Sequence, residues 1–343
     1  MGNRIFYAGQ QVAIGRTSDQ AYQVLKGVQS VSMTTTFNLE QAFQLGQLEI
    51  YENIEGVPNV EMTINRLLDG TTLAYVACAG SLANANDINT ASQNEFLVKL
   101  GIWDEAVASW VGQGGYTNPT SQVTISGAVM SSVTYTLGVD GQFTEEIGIT
   151  ATDKAWSGDC TALSGWADVL EAADSDFQNN NGTPAAVMGV QRREYFDVTN
   201  STIAPGDIPE GKTRLQSITV SADFGREDLF ELGSKGPFAK VATFPLEVTC
   251  SIEVLSSGGD FISAAAEGCT AGAGACDVKS NLTARTIDIY TCDGTRINLG
   301  SNNKLQSVSY GGGDAGGGNV TTTFDYVTYN SLAVSGSGEY SPA

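Results

Sequence analysis

The chain has 343 residues, 41% of them apolar, with 38 acidic side chains, 17 basic ones and no histidine. A net charge of −21 opposes binding to nucleic-acid phosphates. The missing histidine excludes Ser-His-Asp and Cys-His catalysis and histidine-ligated metals.

From the N-terminus, Met1–Phe6 lacks both a signal-peptide apolar region and a myristoylation pattern, so synthesis in the cytoplasm is expected. No stretch reaches the ~20 apolar residues of a membrane span. The first clear element follows at 31–37, where Val31, Met33, Thr35 and Phe37 alternate with Ser32, Thr34 and Thr36. Val60, Met62 and Ile64 alternate in the same way with Glu61, Thr63 and Asn65. Period two with β-branched residues predicts strands with one buried face. Between them, Asn38–Asn59 is long for a connection and rich in apolar residues: Leu39, Phe43, Leu45, Leu48, Ile50, Tyr51, Ile54 and Val57. These side chains either fold back on their own domain or are covered by a neighbouring copy. A short helix led by Asp69-Gly70-Thr71 is predicted next, with Leu73, Val76 and Ala77 at helical spacing. Strands are predicted at 96–103, 122–127, 131–138 and 143–150, and 151–187 reads as a linker with a short helix near Trp166–Ala173.

The pattern then returns. Gln29–Gly46 matches Gln216–Gly233 without a gap, with seven identities in eighteen positions at an offset of 187. Phe43 and Leu45 reappear as Phe230 and Leu232. Beyond one inserted residue, Val60, Ile64 and Leu67 match Val248, Ile252 and Leu255; later, Ser132–Tyr135 matches Ser307–Tyr310. Second-copy strands are predicted near 283–291, 295–299, 305–310 and 319–328, with a short helix at Phe261–Ala265. The period is too long for a solenoid, so the expectation is two tandem, mainly β domains of sandwich or barrel type, 1–187 and 188–343, each with a short helix. Their net charges are −14 and −7.

Few residues offer chemistry. Glu145-Glu146 and Glu52/Glu55 are paired carboxylates, read as solvated surface acids, because neighbours on a strand point to opposite faces. Asp168, Asp174 and Asp176 lack a calcium-loop pattern and read as an acidic linker. Gly311–Gly318 has no Lys-Ser/Thr and reads as a wide hairpin turn. Cys269 and Cys276 flank a Thr/Ala/Gly loop that could close a disulfide, although cytoplasmic thiols stay reduced. Cys250 occupies the place of Met62 and reads as a core side chain. No catalytic, cofactor or metal site is expected.

Gly27–Ser32, Phe37–Gly46, Tyr51–Pro58, the strand Val60–Ile64 and Ser131–Glu146 together resemble the tail tube protein of long-tailed bacteriophages. The resemblance spans both units; single-domain members are about half this length. It implies β-barrel-like units whose strands join those of neighbours into a closed barrel, in rings that stack into a genome-carrying tube. The connection Asn38–Asn59 would reach the next ring, so Leu39, Phe43, Leu45, Leu48, Ile50, Tyr51, Ile54, Phe230 and Leu232 are the assembly candidates. It also implies a virion location after assembly in the host cytoplasm. The implied partners are other copies of the chain and the tail sheath, tape-measure, baseplate and tail-terminator proteins, and DNA would pass an acidic lumen unbound. Two domains per chain would give trimeric rings with pseudo-six-fold symmetry. Another two-domain virion protein, of a baseplate or capsid decoration, and a carbohydrate-binding adhesin are the alternatives.

Overall fold

The computed structural model describes residues 9–17, 22–46, 48–80, 86–103, 119–158, 189–205, 207–208, 214–256, 283–311 and 318–336. Within them the chain is mainly β. The first half contains β1 (Gln10–Arg16), β2 (Tyr22–Val24), β3 (Val28–Phe43), β4 (Ile50–Leu67), α1 (Ala74–Ala79), β5 (Asn86–Asp87), α2 (Ile88–Ala91), β6 (Phe96–Ile102), β7 (Ser121–Gly138), β8 (Thr144–Ala151) and β9 (Asp153–Ser157). The second half contains β10 (Thr202–Ile203), β11 (Leu215–Asp223), β12 (Arg226–Leu229), β13 (Ala239–Ala242), β14 (Glu247–Leu255), β15 (Ile287–Tyr290), β16 (Arg296–Asn298), β17 (Lys304–Gly311), β18 (Thr321–Tyr329) and β19 (Ala333–Ser335).

A 12-stranded antiparallel sheet runs through both halves. Its main span has the order β3-β4-β8-β7-β11-β14-β18-β17. The first four and the last four strands follow one plan: a hairpin strand, its partner, then the two strands of a later hairpin in reverse. The halves meet where β7 pairs with β11, from Ser132 opposite Asp223 to Gly138 opposite Ser217. β6 and β9 flank the first part of β7, and β1 and β2 continue outward from β6.

Alternation decides which side of this sheet is buried. Val60, Met62 and Ile64 of β4, Val133 and Tyr135 of β7, Val220 of β11, Ile252 of β14 and Phe324 of β18 all enter one contiguous core. Each such aliphatic or aromatic side chain contributes about 1.5–3 kcal/mol when withdrawn from water. The core is closed by α1 and by a second, five-stranded sheet, β10-β15-β16-β19-β5, through Ile287, Ile289, Ile297 and Val334. β5 comes from the first half and its partner β19 from the end of the second. Ile88 N donates to Leu332 O at 2.8 Å in the same place. Cys250 is buried, as expected, and burial, then the Asp325 carboxylate, pushes its thiol up to about 12.

Several boundaries differ from expectation. The predicted strands 122–127 and 131–138 are one strand, β7. Gly127 bends it at φ +61 and lets Thr152 approach; a Cβ there would lie 2.1 Å from Thr152 Oγ1. Gly127 reads as a stop in sequence, but here it redirects a strand. Residues 153–157, expected to begin the linker, form β9 against β7, while 159–188, with the Trp166–Ala173 helix and Asp168, Asp174 and Asp176, lie outside the described residues. So do the second-copy helix and the Cys269–Cys276 loop. Most of the Asn38–Asn59 connection is itself strand: β3 runs to Phe43 and β4 starts at Ile50. The register shifts between Phe37 and Leu39 hide that continuity from a period-two reading. Gly56 permits the shift, since a Cβ would lie 2.3 Å from Asn38 O. β1, β2 and β19 had no sequence signal strong enough to anticipate.

Candidate assembly surfaces

The outer side of the main sheet is built from the other half of each alternation. Ser32 and Thr34 of β3, Thr63 of β4, Thr134 of β7, Thr219 and Ser221 of β11, and Ser307 and Ser309 of β17 lie on it. Six carboxylates share this side: Glu61, Glu146, Asp223, Glu247, Glu253 and Asp325. Five of them accept from neutral donors. Asn59 Nδ2 donates to Glu61 at 3.0 Å and Asn65 Nδ2 to Glu146 at 3.3 Å. Ser217 donates to Glu253 at 3.2 Å, and Ser251 and Ser307 donate to the two oxygens of Asp325 at 2.7 and 2.6 Å. Asp223 accepts from Gly225 N at 2.9 Å. Among the described residues the cation in these paired rows is Lys304, at the end of β17 opposite Val327. Asp223 and Glu247 are directly opposite, an arrangement of like charges that costs stability.

Glu145 is a correction to the sequence reading. Glu146 is exposed as expected, but Glu145 points to the other face and is fully buried. It accepts from Ala74 N at 2.8 Å and Tyr75 N at 3.0 Å, the first amides of α1, and from Tyr135 Oη at 2.8 Å. Burial and the Glu145 charge push the Tyr135 phenol well above its usual value. Arg66, also fully buried, lies 3.7 Å from Glu145 and 2.8 Å from Asp69. Asp69 was expected to lead the helix; instead it serves Arg66 and Thr71, and Glu145 from a distant strand satisfies the helix amides. No local pattern could show this, because the donors and acceptor are some 70 residues apart. Apart from Asp69 Oδ2, the cluster is internally paired, and it is closed to solvent, so it holds α1 on the sheet.

Of the apolar residues singled out in sequence, all but the half-buried Val57 project outward. Leu39, Phe43, Ile50, Tyr51 and Ile54 are exposed on the extended β3–β4 hairpin, and Leu45 and Leu48 are fully exposed at its tip. In the second half, Phe230 and Leu232 are exposed at the tip of the β12–β13 hairpin, where Phe238 joins them. Lys235 from this tip lies 3.5 Å from Glu55 of the first hairpin.

The two hairpins are rooted differently. β12 begins with Arg226, whose Nε donates to Met130 O and Nη1 to Ser92 O, both at 2.6 Å. Burial lowers this guanidinium to about 10. Arg226 therefore ties the second hairpin to the first half. The residue matched to it in sequence, 187 positions earlier, is Leu39, which is exposed.

The chain matches no protein-family model and no curated protein. Among solved structures it is similar to a chain of the anti-feeding prophage baseplate, with 11% identity and a TM-score of 0.32 over 46% of this chain and 98% of the other. It is similar to a chain of the anti-feeding prophage tube-terminating cap at 13% identity and a TM-score of 0.32, over 46% and 93% of the two chains. A chain of the sheath-tube complex of an extracellular contractile injection system in its extended state matches at 13% and 0.33, over 45% and 91%.

Proposed function

We propose that the chain is a structural virion protein of a phage-type tail, which polymerises as stacked rings into the tube through which the genome passes. The observation that carries this reading is the outer side of the main sheet, where six carboxylates, five of them held by neutral donors, stand among Ser, Thr and Asn. Such a wall repels phosphates, and among the described residues of its paired rows Lys304 is the counter-charge it offers DNA. The directly opposed Asp223 and Glu247 cost stability, which fits a surface kept negative for its use.

Two halves with the same strand plan support three chains per ring with pseudo-six-fold symmetry. The exposed hairpin residues Leu39, Phe43, Leu45, Leu48, Ile50, Tyr51, Ile54, Phe230 and Leu232 are then the contacts between stacked rings. Further tail proteins, such as the sheath, tape-measure, baseplate and terminator, are the expected partners, and the reading assigns the chain no catalysis. Electron microscopy of the purified protein tests it. Rings or tubes with three chains around each ring are expected. Six chains per ring overturns the trimer, and a protein that stays monomeric under all assembly conditions overturns the tube.

A further inference from the structure

The junction of the halves ends in a pocket that draws on both. Where the last residues of β7 meet the first of β11, a cavity of about 170 Å³ is lined by Leu137, Phe143, Phe196 and Val198. Arg193 and Arg214 share the lining, and both are exposed. The segment that carries Arg193 and Phe196 is held in place on two sides. Phe143 N donates to Gln191 O and Cys292 N to Tyr195 O, both at 2.8 Å. Glu194 is taken by Arg192. Among the described residues no carboxylate lines the pocket, and neither Arg193 nor Arg214 has an ion-pair partner. In a chain with a net charge of −21 this is a local reversal of sign.

The duplication shows that the backbone does not ask for Arg214. Its counterpart 187 residues earlier is Gly27. The two places match in structure: φ is +73 at Arg214 and +72 at Gly27. Each carbonyl accepts from the last leucine of the partner strand, Leu255 N and Leu67 N, both at 2.9 Å. Glycine adopts this left-handed conformation freely, whereas a side chain there costs free energy. The second half thus keeps a guanidinium where glycine serves the fold better. In the first half the Asp69 carboxylate stands over this place, with Oδ2 only 2.8 Å from where a Cβ would lie. The chemistry is inverted between the halves, acidic in one and basic in the other.

We propose that this pocket receives one aromatic side chain of a partner protein, with the carboxylate of an adjoining Asp or Glu bound by Arg193 and Arg214. An apolar cavity of about 150 Å³ holds benzene, so the volume suits a single ring. Guanidinium groups bind carboxylates through charge-assisted hydrogen bonds. The rest of this acidic chain repels an acidic segment, so such a segment is steered to the one basic pocket on its path. A single ring buries too little surface for firm binding alone, and a protein segment with further contacts outside the pocket supplies the rest. The pocket is complete within one chain, so the inference goes beyond the ring reading and does not depend on it.

The test uses the peptide acetyl-Gly-Phe-Glu-Gly-amide, titrated into the full-length chain at low ionic strength and followed by NMR of the peptide. Saturable binding is expected. It should weaken about five- to tenfold when Gln replaces the peptide's Glu, and by a similar factor in Arg193→Gln and in Arg214→Gly. Arg214→Gly should lose this affinity while its Tm stays level or rises, because glycine relieves the left-handed position. That combination separates recognition from folding. Equal binding of the two peptides, no saturation at millimolar peptide, or unchanged affinity in either variant overturns the site. Phenylacetate binding as tightly as the peptide makes this a small-molecule site and overturns the protein partner. Peptide binding that vanishes when the chain assembles gives the pocket to a second copy and overturns that partner too.

Discussion

The two halves place different chemistry at the same point of the same strand plan. In the first, Arg66 of β4 lies opposite Glu145 of β8, both fully buried. In the second, Val254 of β14 lies opposite Thr322 of β18, at equivalent places in the strand order. The first half needs the ions because Glu145 also satisfies two amides of α1 and the Tyr135 phenol. A sheet of one design therefore tolerates either a buried ion cluster or an ordinary uncharged pair, and what packs on it decides which.

The sharpest way to break this contrast is Glu145→Gln. Arg66 keeps Asp69 as its counter-charge, but an amide donor is turned toward Ala74 N, Tyr75 N or Tyr135 Oη, and each buried donor left unpaired costs about 1–3 kcal/mol, so a loss of about 3–5 kcal/mol in unfolding free energy is expected by denaturant titration. Thr322→Val, at the equivalent position, should cost less than about 1.5 kcal/mol; a similar loss at both sites would show that the halves do not differ as argued. Next comes the pair Phe224→Ala and Phe37→Ala. The first removes a buried aromatic ring and should cost about 3–5 kcal/mol. The second, whose ring is exposed, should leave the unassembled chain within about 0.5 kcal/mol of wild type by the same titration. Arg226→Met should cost about 1–3 kcal/mol, since Met130 O and Ser92 O lose their donor. It should also raise proteolysis of the second hairpin, and an unchanged digestion pattern would mean that Arg226 is not its anchor. The smallest effect has the opposite sign. Asp223→Asn relieves the opposition with Glu247 and should stabilise the chain by about 0.2–1 kcal/mol, read as a rise in Tm.

The fold was legible where side chains alternate over long runs. Val60 to Ile64 and the matching strands at 218–224 and 248–252 were recognisable as half-buried strands; Val31 to Phe37 was recognisable as a strand, but its expected buried face is only partly covered and Phe37 is exposed. The misses have local causes. Gly127 and Asn38 each imitate a strand end, yet both sit where a strand bends or shifts register. Glu145 and Glu146 are chemically alike in sequence, and only the distant Arg66 and the amides of α1 distinguish the buried one from the exposed one. The apolar excess of the hairpin was readable, but whether those side chains fold back or stand exposed was not, because that depends on what the β3–β4 ladder packs against. The carboxylate side was not, because it is assembled from single acids on separate strands.

One feature of the second sheet bears on how the molecule comes into being. β5 at Asn86–Asp87 is completed by β19 at Ala333–Ser335. At a synthesis rate of about 5–20 residues per second, the ribosome needs roughly 12–50 s to travel from one to the other. Through that interval the early half waits with its last strand position empty. The second sheet is therefore completed only once Ala333–Ser335 has emerged, well after the first half has been made.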